Sequence, residues 1–476
     1  MTERFVVARK PGNAGGAKGP QFKNNDQREE SPEIGMSLTT PESVWNFQRS
    51  LQAKAKANPA LRFYSLYDKI YRRDVLAFAW QRCHYNGGSA GVDGQTFAQI
   101  ESAGLGAWLD QLTEELKSKT YRPQAVRRVY IPKADGKQRP LGIPTIKDRV
   151  VQMAAVIVLE PIFEADLPDE QYAYRSNRSA HDAIRTVHGL INRGHRQVVD
   201  GDLSGYFDSI PHHELVKSVA RRVSDGAMLR LIQQWLEMPV EETDERGNTR
   251  RTTVNKDSGR GTPQGSPISP LMANLYMRRF ILGWKQQGWE KRLGAHIVNY
   301  ADDFVILCRG SAQEAQERMQ KIMRVLKLTV NEKKTKTCQL PEESFDFLGY
   351  TIGRCYSTRT GRVYLGTRPA KKRIVRICEE VSDATRRLTL GQQTEEMVAG
   401  LNRKLRGWAN YFCLGPVSKA YRAVDSHTRH RLRQWLCGKH KTAGAGTGKY
   451  PDEYLYEKLG LIRLEKLPAS LPWAKA

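Results

Sequence analysis

The chain has 476 residues, and 76 Lys and Arg against 51 Asp and Glu leave a net charge of +25. At roughly 150 residues per domain it is too long for one ordinary core, and 39% hydrophobic residues exclude wholesale disorder. The charge excess points to a polyanionic partner, nucleic acid foremost, and the longest apolar run, at 153–159, is far short of the roughly 20 residues of a membrane span.

No charged-then-apolar signal sequence opens the chain. The seven cysteines, at 83, 308, 338, 355, 378, 413 and 437, include no C-x-x-C pair. That argues against a disulfide framework and a four-cysteine zinc site, and it suits a reducing compartment. Cys437 and His440 form a lone C-x-x-H with no second ligand pair after it.

Residues 1–40 are poor in large apolar side chains and read as a disordered tail, with Met36 as a second candidate start. Val44, Phe47 and Leu51, then Leu76, Phe78 and Trp80, predict helices before a turn at Asn86, Gly87 and Gly88. Lys133 and Arg139 flank Asp135-Gly136, and a hairpin there would bring the two cations together to grip a triphosphate. Taken alone, they are also ordinary solvated surface charge.

The run at 197–202 predicts a strand that ends on Asp202, and Ser209 with Pro211 predicts the start of a helix. Asp208, six residues past Asp202, reads as a capping or structural residue. Gly261 to Pro267 has the glycines of a phosphate loop but no following Lys, which argues against a P-loop. Two apolar runs, at 296–299 and 304–307, predict a β-hairpin with Asp302 and Asp303 at its tip. Asp-Asp is also a good turn dipeptide. If Asp202 lies beside that tip, three like charges repel unless cations sit among them, and Mg²⁺ suits such oxygen ligands.

Ser311 and Glu314 predict a capping box before Ala315, Met319, Ile322 and Leu326 on one helical face. Residues 351–450 carry 21 Lys and Arg against 6 Asp and Glu, an electrostatic footprint on a helical segment. There Val398, Leu401, Leu405, Trp408 and Phe412 form an apolar stripe, with Arg403, Lys404 and Arg406 off it. Gly438 to Gly448 reads as a flexible loop, and no internal repeat is found.

The order of these motifs resembles a reverse transcriptase, and more narrowly the proteins encoded by bacterial group II introns. The resemblance rests on Lys133 and Arg139, Asp202 with Phe207-Asp208, Pro263-Gln264-Gly265, Tyr300-Ala301-Asp302-Asp303, and Phe347-Leu348-Gly349-Tyr350. Tyr67-Asp68 and Gly91-Val92-Asp93-Gly94 are similar to the family's N-terminal extension, and Leu405-Arg406-Gly407-Trp408 with Tyr411-Phe412 to its maturase region.

The resemblance implies an α+β right-hand polymerase with fingers and an antiparallel palm sheet, followed by a helical thumb or maturase domain. The expected divisions are a tail at 1–40, a helical extension at 41–114, fingers and palm at 115–355, thumb and maturase at 368–435, and a short basic tail at 436–476. It implies that Asp202, Asp302 and Asp303 ligate two Mg²⁺ ions, with Mn²⁺ as a substitute. Lys133 and Arg139 bind the incoming nucleotide's phosphates, Phe207 gates against a 2′-hydroxyl, Gln264 lines the nucleotide or template pocket, and Gly349 supports the primer end. Arg403, Lys404 and Arg406 lie on an RNA-binding surface. The expected partners are structured intron RNA, an RNA template with a DNA primer, dNTPs and target DNA, with no membrane. A cysteine-paired H-N-H endonuclease segment is absent, so second-strand cleavage by this chain is not expected. Two other readings stand beside this one: an RNA-binding splicing protein on a vestigial polymerase fold, and a related reverse transcriptase serving defence or repair.

Overall fold

The computed structural model describes residues 6–7, 38–132, 138–244, 246–357 and 360–467. The expected tail therefore lies almost wholly outside the described residues, as do Met36, Lys133 and the Asp135-Gly136 turn. Val6–Val7 pairs antiparallel with Leu38–Thr39. No helix among the described residues is long and apolar enough to cross a membrane. By contact density the chain divides into two units, one of residues 1–183, 201–304 and 313–336, the other of 184–200, 305–312 and 337–476.

In the first unit the most apolar segment of the sequence forms a buried helix, Ile146–Glu164. It is apolar around most of its circumference, as a helix covered on all sides must be. Helices Glu42–Ala57 and Arg73–Asn86 pack against it. The second of these ends at Gly87, whose φ of 63° supplies the left-handed residue that stops a helix. Strands Val126–Pro132 and Gln138–Ile143 form an antiparallel hairpin in which Ile131 faces Arg139. Strands Val240–Thr243 and Thr249–Thr252 continue this sheet.

A second sheet has the strand order Lys336–Gln339, Gln197–Asp202, Asp303–Cys308, His296–Tyr300. Its Gly201-Asp202 and Asp303-Phe304 ends belong to the first unit. Helix Ser269–Gln286 lies over these ends, with the Phe280 and Phe304 rings 5.3 Å apart. Helix Ala312–Val325 follows Ser311, and Ala315, Met319, Ile322 and Leu326 are all buried, as their spacing predicts. One expectation shifts: Ser209 closes a one-turn helix, Tyr206–Ser209, and the next helix starts at His212 with Pro211 as its N-cap. Proline's fixed φ suits that boundary, whereas the Ser209 hydroxyl donates back to Tyr206 O at 3.0 Å.

The second unit holds a three-stranded antiparallel sheet, Phe345–Phe347, Tyr350–Tyr356 and Val363–Pro369. Three helices follow, Lys371–Ala384, Thr394–Tyr411 and Ser418–Lys439. Val398, Leu401 and Leu405 are buried in their common core, so the stripe is packing and its off-stripe cations are left outside. The helical part runs further than the sequence suggests. Its last helix passes Gly438, and Tyr450, Leu455, Leu461 and Leu464 are buried in the same core. Polar anchors secure this segment: Asp425 accepts from Leu464 N at 3.0 Å, and Asp452 pairs with Arg429 and Arg433, each at 2.6 Å.

Candidate active site

Asp202 ends its strand and Asp303 opens the neighbouring one. Gly201 fixes how closely the two ends approach, because a Cβ on it would run into the Phe304 ring. Asp302 and Asp303 are presented by a two-residue turn at 301–302 in which Ala301 takes φ 59°, a left-handed conformation that costs an L-residue about 1–2 kcal/mol. Buried Asn299 holds that turn, donating from Nδ2 to Ala301 O at 2.8 Å and to Asp303 O at 3.3 Å. Its own backbone is held by Glu170 O at 2.8 Å and Tyr172 N at 3.0 Å. Asp302 is half-buried and Asp303 exposed.

Asp202 is half-buried and held by the segment after the Ala312–Val325 helix. Asn331 Nδ2 donates to Asp202 Oδ2 at 2.9 Å, and Asn331 N donates to Asp202 O at 2.8 Å. Thr335 Oγ1 accepts from Asp202 N at 3.3 Å. Lys334 Nζ stands 3.5 Å from both carboxylate oxygens on a side chain that is 64% exposed, a loose pairing of little energetic weight.

Of the expected nucleotide-contacting residues, Arg139, Phe207 and Gln264 are described. Tyr174 takes a left-handed conformation at φ 57°. Burial first, then the Asp302 carboxylate, pushes its phenol well above the usual range, while Arg139 pulls it back. Arg139 and Asp302 therefore act on one side chain. Phe207 is half-buried beside Tyr206, with ring centroids 5.7 Å apart, and Phe207 O accepts from Thr262 N at 2.7 Å. Gln264 donates to Asp208 Oδ2 at 3.0 Å, and Gln264 O accepts from Gly142 N at 2.6 Å. The glycine-rich loop thus links the Phe207 turn to the strand that carries Arg139. Asp208 tethers that loop and does not cap the helix that follows.

The remaining expected residues lie in the second unit. Gly349, at φ 84°, follows Leu348 at φ 50° in the tight turn joining the Phe345–Phe347 and Tyr350–Tyr356 strands. A Cβ there would come within 3.1 Å of Arg373 and 3.3 Å of Phe412. Arg403, Lys404 and Arg406 are exposed on the Thr394–Tyr411 helix.

Among the described residues, no three His, Cys, Asp or Glu side chains close on one point as an all-protein metal cage would. The donor set here is instead an open one of hard carboxylate oxygens on adjoining strand ends. That fits Mg²⁺, which is commonly held by one or two carboxylates with substrate phosphates and waters completing its shell. Asp202, Asp302 and Asp303 are the residues that would hold it. Sequence reading missed Asn299, Asn331 and Lys334. The first sat unremarked beside the Tyr300 motif, and the other two act on a partner about 130 residues away, where no local pattern signals them.

Residues 131–352 match the reverse transcriptase (RNA-dependent DNA polymerase) family, and residues 374–451 match the group II intron maturase-specific domain. The chain is 33% identical to Protein YkfC of Escherichia coli over 367 residues, 69% of this chain and 93% of that protein. It is 29% identical to the group II intron-encoded protein LtrA of Lactococcus lactis over 354 residues, 61% of this chain and 57% of LtrA. A putative COX1/OXI3 intron 1 protein of Saccharomyces cerevisiae matches at 26% over 330 residues, 59% of this chain and 38% of that protein. The chain thus spans nearly all of YkfC but little over half of LtrA. Its mixed α+β part has the fingers and palm of a right-hand polymerase, with a helical thumb and maturase part after them. Two domain matches in this order, with antiparallel sheets followed by basic helices, leave one assignment: the chain belongs to the group II intron-encoded reverse transcriptases and maturases.

Proposed function

We propose that the chain copies RNA into DNA by a two-metal mechanism and binds its host intron RNA to assist splicing and reinsertion at a new DNA site. The observation that supports this reading is that the strand ending on Asp202 neighbours the strand that Asp303 opens, with Gly201 packed against Phe304. Bound between these carboxylates, a pair of Mg²⁺ ions, or Mn²⁺ in their place, supplies activation of the primer hydroxyl and neutralisation of the leaving pyrophosphate. The chain's own residues do the rest. Arg139, with Lys133, holds the triphosphate of the incoming dNTP. Phe207 stands against the sugar and disfavours a 2′-hydroxyl. Gln264, tied to both Asp208 and Gly142, lines the pocket. Gly349 lets its tight turn support the primer end. Exposed Arg403, Lys404 and Arg406 contact the RNA backbone, where shape and phosphates rather than base edges are read. The working site is the bacterial cytoplasm, with RNA template, DNA primer and target DNA as partners.

Asp302→Ala tests this. DNA synthesis on an RNA template should fall by more than about 100-fold, with intron RNA binding and melting temperature retained. Unaltered synthesis would remove Asp302 from catalysis. Wild-type protein that binds RNA tightly yet extends no primer would instead favour a splicing protein on an inactive polymerase fold.

A further inference from the structure

The segment at 329–335 is bound to the end of the Asp202 strand through its backbone. Ser204 N donates to Thr329 O at 2.9 Å, Asn331 N donates to Asp202 O at 2.8 Å, and Leu203 bridges Val330. These bonds hold the two segments together whatever side chain stands at 331. The Asn331 amide is therefore free for another task, and it donates to Asp202 Oδ2 at 2.9 Å. An ionised carboxylate only accepts, so the amide must present its NH₂ there.

We propose that Asn331 is a positioning residue for Asp202: its side chain engages Oδ2, fixes the carboxylate's rotation and leaves Oδ1 to receive a divalent cation. A neutral donor suits this task. It orients the carboxylate without cancelling its charge, whereas a second cation fixed at that point would compete with the metal. Among the described residues, the other polar group on the carboxylate is Lys334, 3.5 Å from either oxygen and mostly in solvent. It balances Asp202 when no metal is bound and is easily displaced. Groups that orient a ligand in this way typically affect metal affinity or activity by about 10–100-fold. The inference rests on reading Asp202 as a metal ligand.

The test is Mn²⁺ binding to the full chain without nucleotide, followed by electron paramagnetic resonance, for wild type, Asp202→Asn and Asn331→Leu. The leucine substitution keeps the side chain's shape and every backbone bond but removes the donor. Binding by Asn331→Leu should weaken about 10-fold, and the Mg²⁺ needed for half-maximal primer extension should rise by a similar factor. RNA binding and melting temperature should not change. Position 331 is half-exposed, and Asn331→Ala gives the same reading should the leucine melt early. Weakened binding in Asp202→Asn but not in Asn331→Leu overturns this inference alone. Unchanged binding in both overturns the metal-ligand reading as well. A fall in melting temperature and RNA binding in both Asn331 variants would make the residue a fold element and refute the positioning role.

Discussion

Gly265 offers a sharp test of how the nucleotide pocket is built. Its φ is 110°, and a Cβ on it would run into Gly142 O and come within 3.0 Å of Leu141 Cδ1. Gly265→Ala must therefore either hold a strained backbone, at about 1–3 kcal/mol, or lift the loop off the strand. Lifting breaks the Gly142 N to Gln264 O bond of 2.6 Å, worth about 1 kcal/mol. It also moves Gln264, which donates to Asp208 Oδ2 at 3.0 Å. The second course is expected, because the Cβ would meet the backbone oxygen of Gly142, which no side-chain rotation can clear, while buried Thr262 and Ser266 confine the shift to the residues between them. A shift of about 1 Å at a substrate-positioning group costs on the order of 100-fold. Single-nucleotide insertion on an RNA template should therefore show kcat/KM for dNTP reduced by about that factor, with RNA binding unchanged and a melting temperature lowered by only a few degrees. Wild-type kcat/KM would show that the loop's contact with the strand does not set the pocket.

Phe207→Ala should raise ribonucleotide incorporation relative to deoxynucleotide in the same insertion assay while the protein stays folded, since the ring is only half-buried. An unchanged ratio would take Phe207 out of sugar selection. Binding to intron RNA should fall steeply with salt, and replacing Arg403, Lys404 and Arg406 with Ala should flatten the log–log slope by roughly two. A slope unaffected by the triple change would move the RNA contact elsewhere.

Much of this molecule is legible locally. The strand ending on Asp202, the hairpin carrying Asp302 and Asp303, the helical face from Ala315 to Leu326 and the stripe from Val398 to Leu405 all follow from apolar periodicity and turn residues, which act over a few positions. Periodicity misses the buried segment after Lys439, because Tyr450, Leu455, Leu461 and Leu464 follow no regular spacing and are held through Asp425 and Asp452. The active-site supports are equally hidden. Asn331 meets Asp202 across 129 positions, and Gly265 matters only because the Gly142 backbone lies against it. The sequence alone determined which elements form and which residue types could do chemistry, since both depend on near neighbours. Tertiary structure decided which side chains orient the carboxylates and which glycines cannot accept a Cβ, because those depend on contacts between segments far apart in the chain.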